Sequence, residues 1–252
     1  MKQARITPVL KRDFKNTNDP AAYRLISNVS TLAKILERIV ARQLQHHVDE
    51  FNLLPPEQSS FRKFHSTETA LIKTVSDVLD GFDNGLLSLL AFLDLSAAFD
   101  SIDHKILLTR LQYSCGLSDT VLRWFDSFLS SRSMSFKDNV SYLTDRGVPQ
   151  GSVLGPLLFV IYFSEISNCV HQHNLNVHLY TDDVLIYGPC PSSDVKCTEL
   201  SARLSSCIDS IHSWLSSNRL LLNTNKTKVM WCASSRRRNC LPSLPVRVGT
   251  TR

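Results

Sequence analysis

This sequence of 252 residues lacks the patterns that mark several common classes of protein. Its seven cysteines are odd in number, include no Cys-x-x-Cys pair and have no histidine at zinc-finger spacing. They therefore indicate reduced intracellular thiols, and they argue against a disulfide framework and against a structural zinc site. No internal repeat and no long low-complexity tract occurs along the chain.

Long hydrophobic runs are missing as well. The longest, Val153–Phe163, is interrupted by Gly155 and Pro156 and is far shorter than the roughly 20 residues that a membrane-spanning helix needs. The N-terminal segment Met1–Pro8 has no apolar core of the kind found in signal peptides. We therefore expect an intracellular protein with no membrane partner, and the sequence does not decide between nucleus and cytoplasm.

The overall composition is that of an ordinary folded protein. Hydrophobic residues make up 43% and charged residues 20%, so disorder is not expected. The chain is long enough for one large or two small domains. The net charge of +5 is compatible with a polyanionic partner but does not establish one.

Acidic residues inside two apolar segments carry the most specific chemical signal. Asp94 lies in the apolar run Leu89–Phe99, and Asp182 and Asp183 lie between strand-forming residues in Val177–Tyr187. A carboxylate in an apolar strand is costly to desolvate unless something offsets its charge. Because no basic residue is adjacent in sequence, a divalent cation such as Mg²⁺ or Mn²⁺ is the expected offset. The pattern favours a two-metal site of the polymerase type.

Hydrophobic periodicity predicts a mixed α+β domain. The run Leu86–Leu95 is typical of a buried central strand, and Val177–Tyr187 is typical of a hairpin with the two aspartates at its tip. Further strands are expected within 135–148 and over 228–232. Helices are predicted from residue 30 past 44, then over about 66–82, 103–116, 118–129, 155–166 and 194–215, with their apolar stripes in the core.

Six ordered blocks of sequence carry a family resemblance. They are Tyr23–Asn28, Glu57–Leu71, Phe92–Asp100, Gly147–Phe159, Tyr180–Asp183 and Leu222–Lys228. Together they resemble the reverse transcriptase domain of LINE-type (non-LTR) retrotransposons. The Tyr-x-Asp-Asp block alone would be a weak signal, but six blocks in the family's order cover most of the chain.

The resemblance implies a right-hand polymerase fold with fingers and a palm, in which helices pack on an antiparallel palm sheet. We expect one reverse transcriptase domain with a fingers-like part over 1–85. The palm, with inserted helical elements, is expected over 86–233, and a polar basic tail over 234–252. The thumb is expected to be largely missing, because the chain stops soon after the last palm block.

RNA-directed DNA synthesis is the activity that the resemblance implies, with RNA template, DNA primer and dNTPs as partners. Asp94 and Asp182 would bridge two Mg²⁺ ions, with Mn²⁺ as an alternative, and Asp183 would support them. Lys226 corresponds to a palm lysine suited to protonating the pyrophosphate leaving group. An RNA-binding protein encoded by the same element is a further expected partner.

Substrate-binding residues are also implied by the matching motifs. Arg62 and Lys63 correspond to fingers residues that grip the triphosphate. Phe99 corresponds to the aromatic residue that lies beneath the incoming sugar and excludes a 2′-hydroxyl. Gln150 and Gly151 correspond to the loop that shapes the nucleotide and template pocket, where glycine allows close backbone approach.

The sequence also departs from the usual pattern of this family. Thr181 precedes the aspartate pair where alanine is usual, and Val184 follows it where threonine is common. Leu25 replaces a usual proline, and Ser60 replaces a usual glycine.

Alternative functions and plainer interpretations stay open at this stage. The chain could be a truncated, inactive element remnant that only binds nucleic acid, or a nuclease built on the same carboxylates. Asp94 could cap a helix, and Phe99 could be an ordinary core residue. The run Arg236–Arg238 could contact nucleic acid or form a solvated tail.

Overall fold

The fold is described by a computed structural model, which covers residues 2–11, 18–19, 22–135, 141–242 and 246–247. The α+β prediction is confirmed. The strands are β1 (Gln3–Leu10), β2 (Tyr23–Asn28), β3 (Leu86–Leu93), β4 (Leu95–Ser96), β5 (Arg132–Ser135), β6 (Ser141–Thr144), β7 (Asn176–Tyr180), β8 (Asp183–Pro191), β9 (Leu221–Leu222) and β10 (Lys228–Cys232). The helices are α1 (Thr31–Glu50), α2 (Thr67–Asp83), α3 (His104–Tyr113), α4 (Asp119–Leu129), α5 (Gly155–Phe163), α6 (Ile166–His171) and α7 (Asp194–Ser217). Short 3₁₀ helices cover Ala98–Ser101 and Ser235–Cys240.

Two compact units divide the chain, and each is assembled from two separate stretches of sequence. The first unit comprises Met1–Leu53 and Phe99–Tyr162, and the second comprises Leu54–Ala98 and Phe163–Arg252. The division into 1–85, 86–233 and 234–252 that the sequence suggested stays a prediction.

The first unit contains a sheet with the strand order β2-β1-β5-β6. β1 runs antiparallel to β2 and parallel to β5, while β5 and β6 form an antiparallel pair. The sequence predicted extended chain before residue 28 and strand-like chain over 135–148. The second pair begins earlier, at Arg132, and residues 136–140 lie outside the described residues.

Helix α1 begins where the sequence predicts but buries a different face. Ser30 caps it by accepting a hydrogen bond from the Ala33 amide. Of the apolar stripe expected in the core, Leu44 is buried, but Leu32, which is 69% accessible, and also Ile35 and Ile39 are exposed, so the prediction is wrong for this part of the helix. The buried face also carries the small Ala33, which packs with Ala4 of β1 and with Val29 just after β2, and a carboxylate.

That carboxylate belongs to Glu37, which is buried in the first unit. Its Oε2 accepts hydrogen bonds from the amides of Val153 at 2.6 Å and Leu154 at 3.2 Å. Hydrogen bonds to an ionised acceptor are stronger than neutral ones, so they offset the cost of burying the side chain. Periodicity could not reveal this, because a glutamate inside a helix normally marks a solvated face.

Helix α5 is apolar on all sides, as expected for a fully buried helix. It starts at Gly155, whose amide donates to Ser152 Oγ at 2.9 Å, and residues 157–163 are all buried. The predicted helix to residue 166 is divided, because α5 ends at Phe163 and α6 begins at Ile166. Among the described residues, no helix combines the length and apolar character needed to cross a membrane.

The second unit is built on an antiparallel sheet with the strand order β10-β3-β8-β7. β3 is central, and its register runs from Leu86 opposite Pro191 to Leu93 opposite Val184. Residues 87–91 and Leu93 of β3 are buried, as expected for an interior strand that is covered on both faces. The predicted hairpin is present as β7 and β8.

Helix α7 packs against β8 in this unit. A Cβ atom at Gly188 would lie 2.9 Å from Leu175 and 3.4 Å from Leu200 of α7, so only glycine fits there without displacement. Cys190 of β8 and Cys197 of α7 are buried free thiols with their sulfur atoms 3.7 Å apart.

Helix α2 lies on the same sheet and is tied to it by a polar contact. A capping box formed by Ser66 and Thr69 starts the helix. The Tyr187 hydroxyl of β8 donates to Asp77 Oδ2 at 2.5 Å, and Lys73 pairs with the same carboxylate. Of the predicted apolar stripe of α2, Ala70 is buried, whereas Leu71, Val75 and Leu79 are exposed.

The basic tail is described in part. Arg237 Nη1 donates to Ser192 Oγ at 2.6 Å, and its guanidinium lies next to Gly85. Arg237 therefore has a structural contact within the second unit, while residues 243–245 and 248–252 lie outside the described residues.

The contact between Tyr187 and Asp77 predicts a stability effect. Tyr187→Phe removes a hydroxyl that donates to a carboxylate, so it should lower the free energy of unfolding by about 1–2 kcal/mol in urea titrations. The same change at the exposed Tyr113 should have an effect within about 0.5 kcal/mol. Equal effects of the two substitutions would contradict the stabilising role of this hydrogen bond.

Candidate active site

The ends of β3 and β8 bring two of the predicted carboxylates together. Leu93 and Val184 form the last pair of this antiparallel ladder. Asp94 follows Leu93 and Asp183 precedes Val184, so the two aspartates lie opposite each other on adjacent strands. The expected juxtaposition is thus present in the second unit, although Asp94 lies just after β3 and not within it.

Asp182 lies next to this pair, in the loop of the hairpin. Tyr180 and Asp183 are the last pair of β7 and β8, which leaves Thr181 and Asp182 as a two-residue loop. Thr181 has φ +57°, as tight hairpin loops require at a central position. For a β-branched residue this conformation costs on the order of 1–3 kcal/mol, so the surrounding structure must hold it.

The backbone on both sides of Asp94 is held by hydrogen bonds. Its carbonyl accepts from the Asn223 amide at 2.8 Å, and the β4 segment that follows pairs with β9. The turn after β9 is closed by the amides of Lys226 and Thr227, which donate to the Asn223 carbonyl. This turn leads into β10, which returns along β3.

Lys226 provides the positive charge that faces Asp94. Its Nζ lies 3.3 Å from Asp94 Oδ2, an oxygen that is buried and makes no hydrogen bond to a described residue. The lysine side chain is 60% exposed, so the pair contributes little to stability. Lys226 matters locally, because it places an ammonium group beside the carboxylates and within reach of solvent.

The electrostatics of the site reflect three negative charges at one end of the sheet. Burial raises the pKa of the Asp183 carboxyl, and the charges of Asp182 and Asp94 raise it further. Lys226 acts in the opposite direction and lowers it. Additional positive charge at this position would therefore stabilise the ionised carboxylates.

Three aspartates offer the donor atoms that a hard divalent cation prefers. The buried and incompletely paired Oδ2 of Asp94 and the raised pKa of Asp183 both fit such an ion. Within the described ranges, however, no three His, Cys, Asp or Glu side chains already form a cluster that could hold a metal. The backbone brings the three aspartates close together, and their side chains would have to turn toward a common point to bind a metal ion.

Two predicted triphosphate-binding residues lie on the loop that precedes α2. Arg62 Nη1 donates to the Pro55 carbonyl at 3.1 Å, and the Lys63 carbonyl accepts from His65 Nδ1. The contact with Pro55 orients the Arg62 guanidinium within the second unit. The role of both residues toward a triphosphate stays a prediction.

Phe99, Gln150 and Gly151 lie in the first unit. Phe99 is half-buried and stacks on Phe159, with ring centroids 4.8 Å apart. The Gln150 carbonyl accepts from the Ser27 amide at 2.7 Å. Gly151 has φ +108°, and a Cβ atom there would lie 3.0 Å from the Ser27 carbonyl, so the expected close backbone approach is to Ser27. Their substrate-binding roles stay predictions.

Sequence reasoning missed one residue at the loop that carries Asp182. Ser60 Oγ accepts a hydrogen bond from the Thr181 amide at 2.8 Å. The only sequence signal was that Ser60 and Thr181 both depart from the family's usual residues, and nothing in the spacing indicated that they meet.

Comparison with known proteins identifies the family. Residues 9–242 match the profile of a family described as reverse transcriptase (RNA-dependent DNA polymerase). The chain belongs to the reverse transcriptase family. Use of a divalent metal is therefore implied at the level of the family.

Proteins of mobile elements are among the relatives, which confirms the resemblance to non-LTR retrotransposons. The probable RNA-directed DNA polymerase from transposon BS of Drosophila melanogaster is 30% identical over 87% of this chain and 24% of its own length. The RNA-directed DNA polymerase from mobile element jockey of the same species is 27% identical over 86% of this chain and 24% of its own length. The chain thus spans about a quarter of the length of these curated relatives.

Solved structures confirm the polymerase fold. Apo telomerase from Candida tropicalis, truncated from its C-terminal domain, is similar with a TM-score of 0.64 and 12% identity. The match covers 93% of this chain and 51% of that chain. Telomerase from Candida albicans, in complex with a fragment of telomeric RNA, gives a TM-score of 0.63 and 16% identity over 90% of this chain and 41% of that chain. At this identity the similarity establishes the fold alone.

The charges around Asp183 predict opposite effects of two substitutions. Asp182→Asn removes a repelling charge and should lower the pKa of the Asp183 carboxyl, whereas Lys226→Met removes an attracting charge and should raise it. Both shifts can be followed by NMR titration of the ¹³C-labelled carboxyl in metal-free buffer. Shifts of the same sign would show that the three charges do not interact as described.

Proposed function

We propose that this member of the reverse transcriptase family catalyses RNA-directed DNA synthesis, transferring a nucleotide from a dNTP to a primer 3′-hydroxyl. The observation that carries the proposal is the position of Asp94 opposite Asp183, with Asp182 in the adjoining loop. An ordinary turn or a helix cap would not require three carboxylates at one end of a sheet or a lysine facing them.

Asp94, Asp182 and Asp183 would hold Mg²⁺, or Mn²⁺ in its place. When bound, a pair of such ions would lower the pKa of the primer hydroxyl and neutralise the triphosphate. The protein's own contribution is alignment, because Asp94 and Asp183 are on paired strands and the Asp182 loop is closed by the same hairpin. Phosphoryl transfer depends mainly on such alignment and on charge neutralisation.

Lys226 would act on the leaving group. Its ammonium is beside Asp94 and largely open to solvent, so a substrate phosphate can reach it. There it would donate a proton or a hydrogen bond to the leaving oxygen of pyrophosphate as the bond between this oxygen and the α-phosphorus of the dNTP breaks.

The remaining predicted residues would bind the nucleotide and the template. Arg62 and Lys63 would contact the triphosphate, for which the forked guanidinium of arginine is well suited. Phe99 would lie against the sugar, and the loop at Gln150 and Gly151 would border the base.

RNA template, DNA primer and dNTPs are the proposed partners. Relatives named as RNA-directed DNA polymerases support this choice, as does a solved telomerase structure with a telomeric RNA fragment. Since the chain spans about a quarter of those relatives, the activity of any longer protein is also part of the proposal.

Primer extension on an RNA template tests the function directly. In Mg²⁺ the protein should extend a DNA primer with dNTPs, and Asp182→Asn should reduce the rate by at least roughly 10²-fold because a metal-binding and charge-stabilising group is lost. Affinity for an RNA–DNA hybrid should remain within about threefold, since phosphate contacts dominate that affinity.

Asp80→Asn, on the exposed surface of α2, is the matched control and should leave extension unchanged. Salt-sensitive hybrid binding without any extension by the unmodified protein would instead favour the inactive remnant. Release of nucleotides from labelled nucleic acid in the absence of dNTPs would favour a nuclease.

Phe99→Val tests the sugar-binding role separately. Loss of the ring should lower the preference for dNTPs over rNTPs, measured as the ratio of kcat/KM values, by about tenfold or more. Phe51→Val, at an exposed position of the same unit, should leave that ratio unchanged. If the ratio is also unchanged in Phe99→Val, the ring serves only to pack against Phe159.

A further inference from the structure

A buried segment before α2 runs beside the strand that leads to Asp182. We call this segment, Glu57–Ser60, the brace. The Leu179 amide of β7 donates to the Glu57 carbonyl, and the Ser59 amide donates to the Leu179 carbonyl, both at 3.0 Å. Gln58, Ser59 and Ser60 are each at most 3% exposed. The brace therefore forms a short parallel contact with the end of β7, within the second unit.

The side chain of Ser60 extends this contact to the loop itself. Its hydroxyl donates to Gln58 Oε1 at 2.9 Å, and the Ser60 amide donates to the same oxygen at 3.0 Å. A hydroxyl has one proton and two acceptor lone pairs. Because the proton is directed to Gln58, the oxygen is oriented to accept from the Thr181 amide at 2.8 Å.

Thr181 needs such a partner because of its backbone conformation. With φ +57°, this β-branched residue is in the left-handed region, from which it would relax if nothing held it. A hydrogen bond to its amide from a rigid, buried acceptor opposes that relaxation. Any relaxation of Thr181 would rotate the peptide that joins it to Asp182 and would move the Asp182 carboxylate.

We propose that Ser60 is a positioning residue that holds the Thr181 loop and thereby fixes the backbone from which the Asp182 side chain projects, next to Asp94 and Asp183. The proposal rests on the proposed function, since it assigns Ser60 a part in forming that site.

The expected size of the effect follows from the chemistry of supporting contacts. A hydrogen bond of this kind changes a local opening equilibrium by roughly 2- to 12-fold. Groups that orient a metal ligand change metal affinity or activity by about 10- to 100-fold when they are removed. Ser60 should therefore affect metal binding more than global stability.

The first test uses two readouts that do not depend on polymerase activity. In Ser60→Ala, hydrogen exchange of the Thr181 amide should accelerate by about fivefold or more. The dissociation constant of Mn²⁺, measured by water-proton relaxation without nucleotide, should rise by about tenfold. The rate of primer extension should fall with little change in KM for dNTP, because the nucleotide-binding residues are untouched.

Ser59→Ala is the matched control. Ser59 is as buried as Ser60, but its hydroxyl bonds to the His178 side chain at 3.0 Å and not to the loop backbone. Ser59→Ala removes a hydroxyl oxygen, as Ser60→Ala does, but from the neighbouring position. Exchange at Thr181 and the affinity for Mn²⁺ should therefore remain at the values of the unmodified protein.

A second variant tests the link to backbone strain. Glycine adopts positive φ without penalty, so Thr181→Gly should make the loop less dependent on Ser60. In the Thr181→Gly background, Ser60→Ala should change Mn²⁺ affinity by less than about twofold, compared with about tenfold alone. Equal effects in both backgrounds would overturn the positioning role.

The outcomes separate this proposal from the proposed function. If the unmodified protein makes no DNA, the function fails, while exchange and Mn²⁺ binding still decide the role of Ser60. If it makes DNA and Ser60→Ala changes neither readout, the positioning role fails and the function stands. If Ser60→Ala does not fold, hydrogen exchange of the Thr181 amide in the unmodified protein provides the test. Protection of this amide from exchange supports the contact with Ser60, and exchange at the rate of an open loop contradicts it.

Discussion

Repulsion among Asp94, Asp182 and Asp183 is the constraint on which the rest of the site depends. The carboxylates cannot move apart by sliding, because β3 and β8 are locked by the apolar residues that each strand buries. Their charge must be offset where it is, and Lys226 supplies part of that offset from the turn before β10. The core of the second unit thus forces like charges together, and the electrostatic cost is what makes the position receptive to cations.

The contacts that support this arrangement are polar and come from segments distant in sequence. Asn223 holds the carbonyl of Asp94, Ser60 holds the amide of Thr181, and Tyr187 ties α2 to the sheet through Asp77. Such bonds are individually modest in water but define orientation when their partners are buried. Apolar packing and the backbone ladder hold the strands together, and these few bonds fix the direction of the groups at their ends.

Local patterns were sufficient to predict β3, the hairpin of β7 and β8, and helix α7. Each of these depends on periodicity or on turn residues within a short stretch. The pairing of Lys226 with Asp94 and the bond from Ser60 to Thr181 depend on tertiary contacts, for which the sequence holds no local signal. The apolar stripe of α1 misled in the opposite direction, because the helix buries Glu37 and leaves Leu32, Ile35 and Ile39 accessible. Two units assembled from alternating stretches of chain were likewise not visible in composition.

The antiparallel pairing that ends at Leu93 and Val184 also limits how the gene can change. Successive side chains of a strand point to opposite faces, so gain or loss of a single codon within β3 would reverse the side on which Asp94 emerges. Gain or loss of two codons would keep Asp94 on its present side of the sheet but would shift its carboxylate along the strand by roughly 7 Å. In-frame insertions should therefore be purged from this strand in any lineage that keeps these carboxylates together, while the surface loops accumulate them.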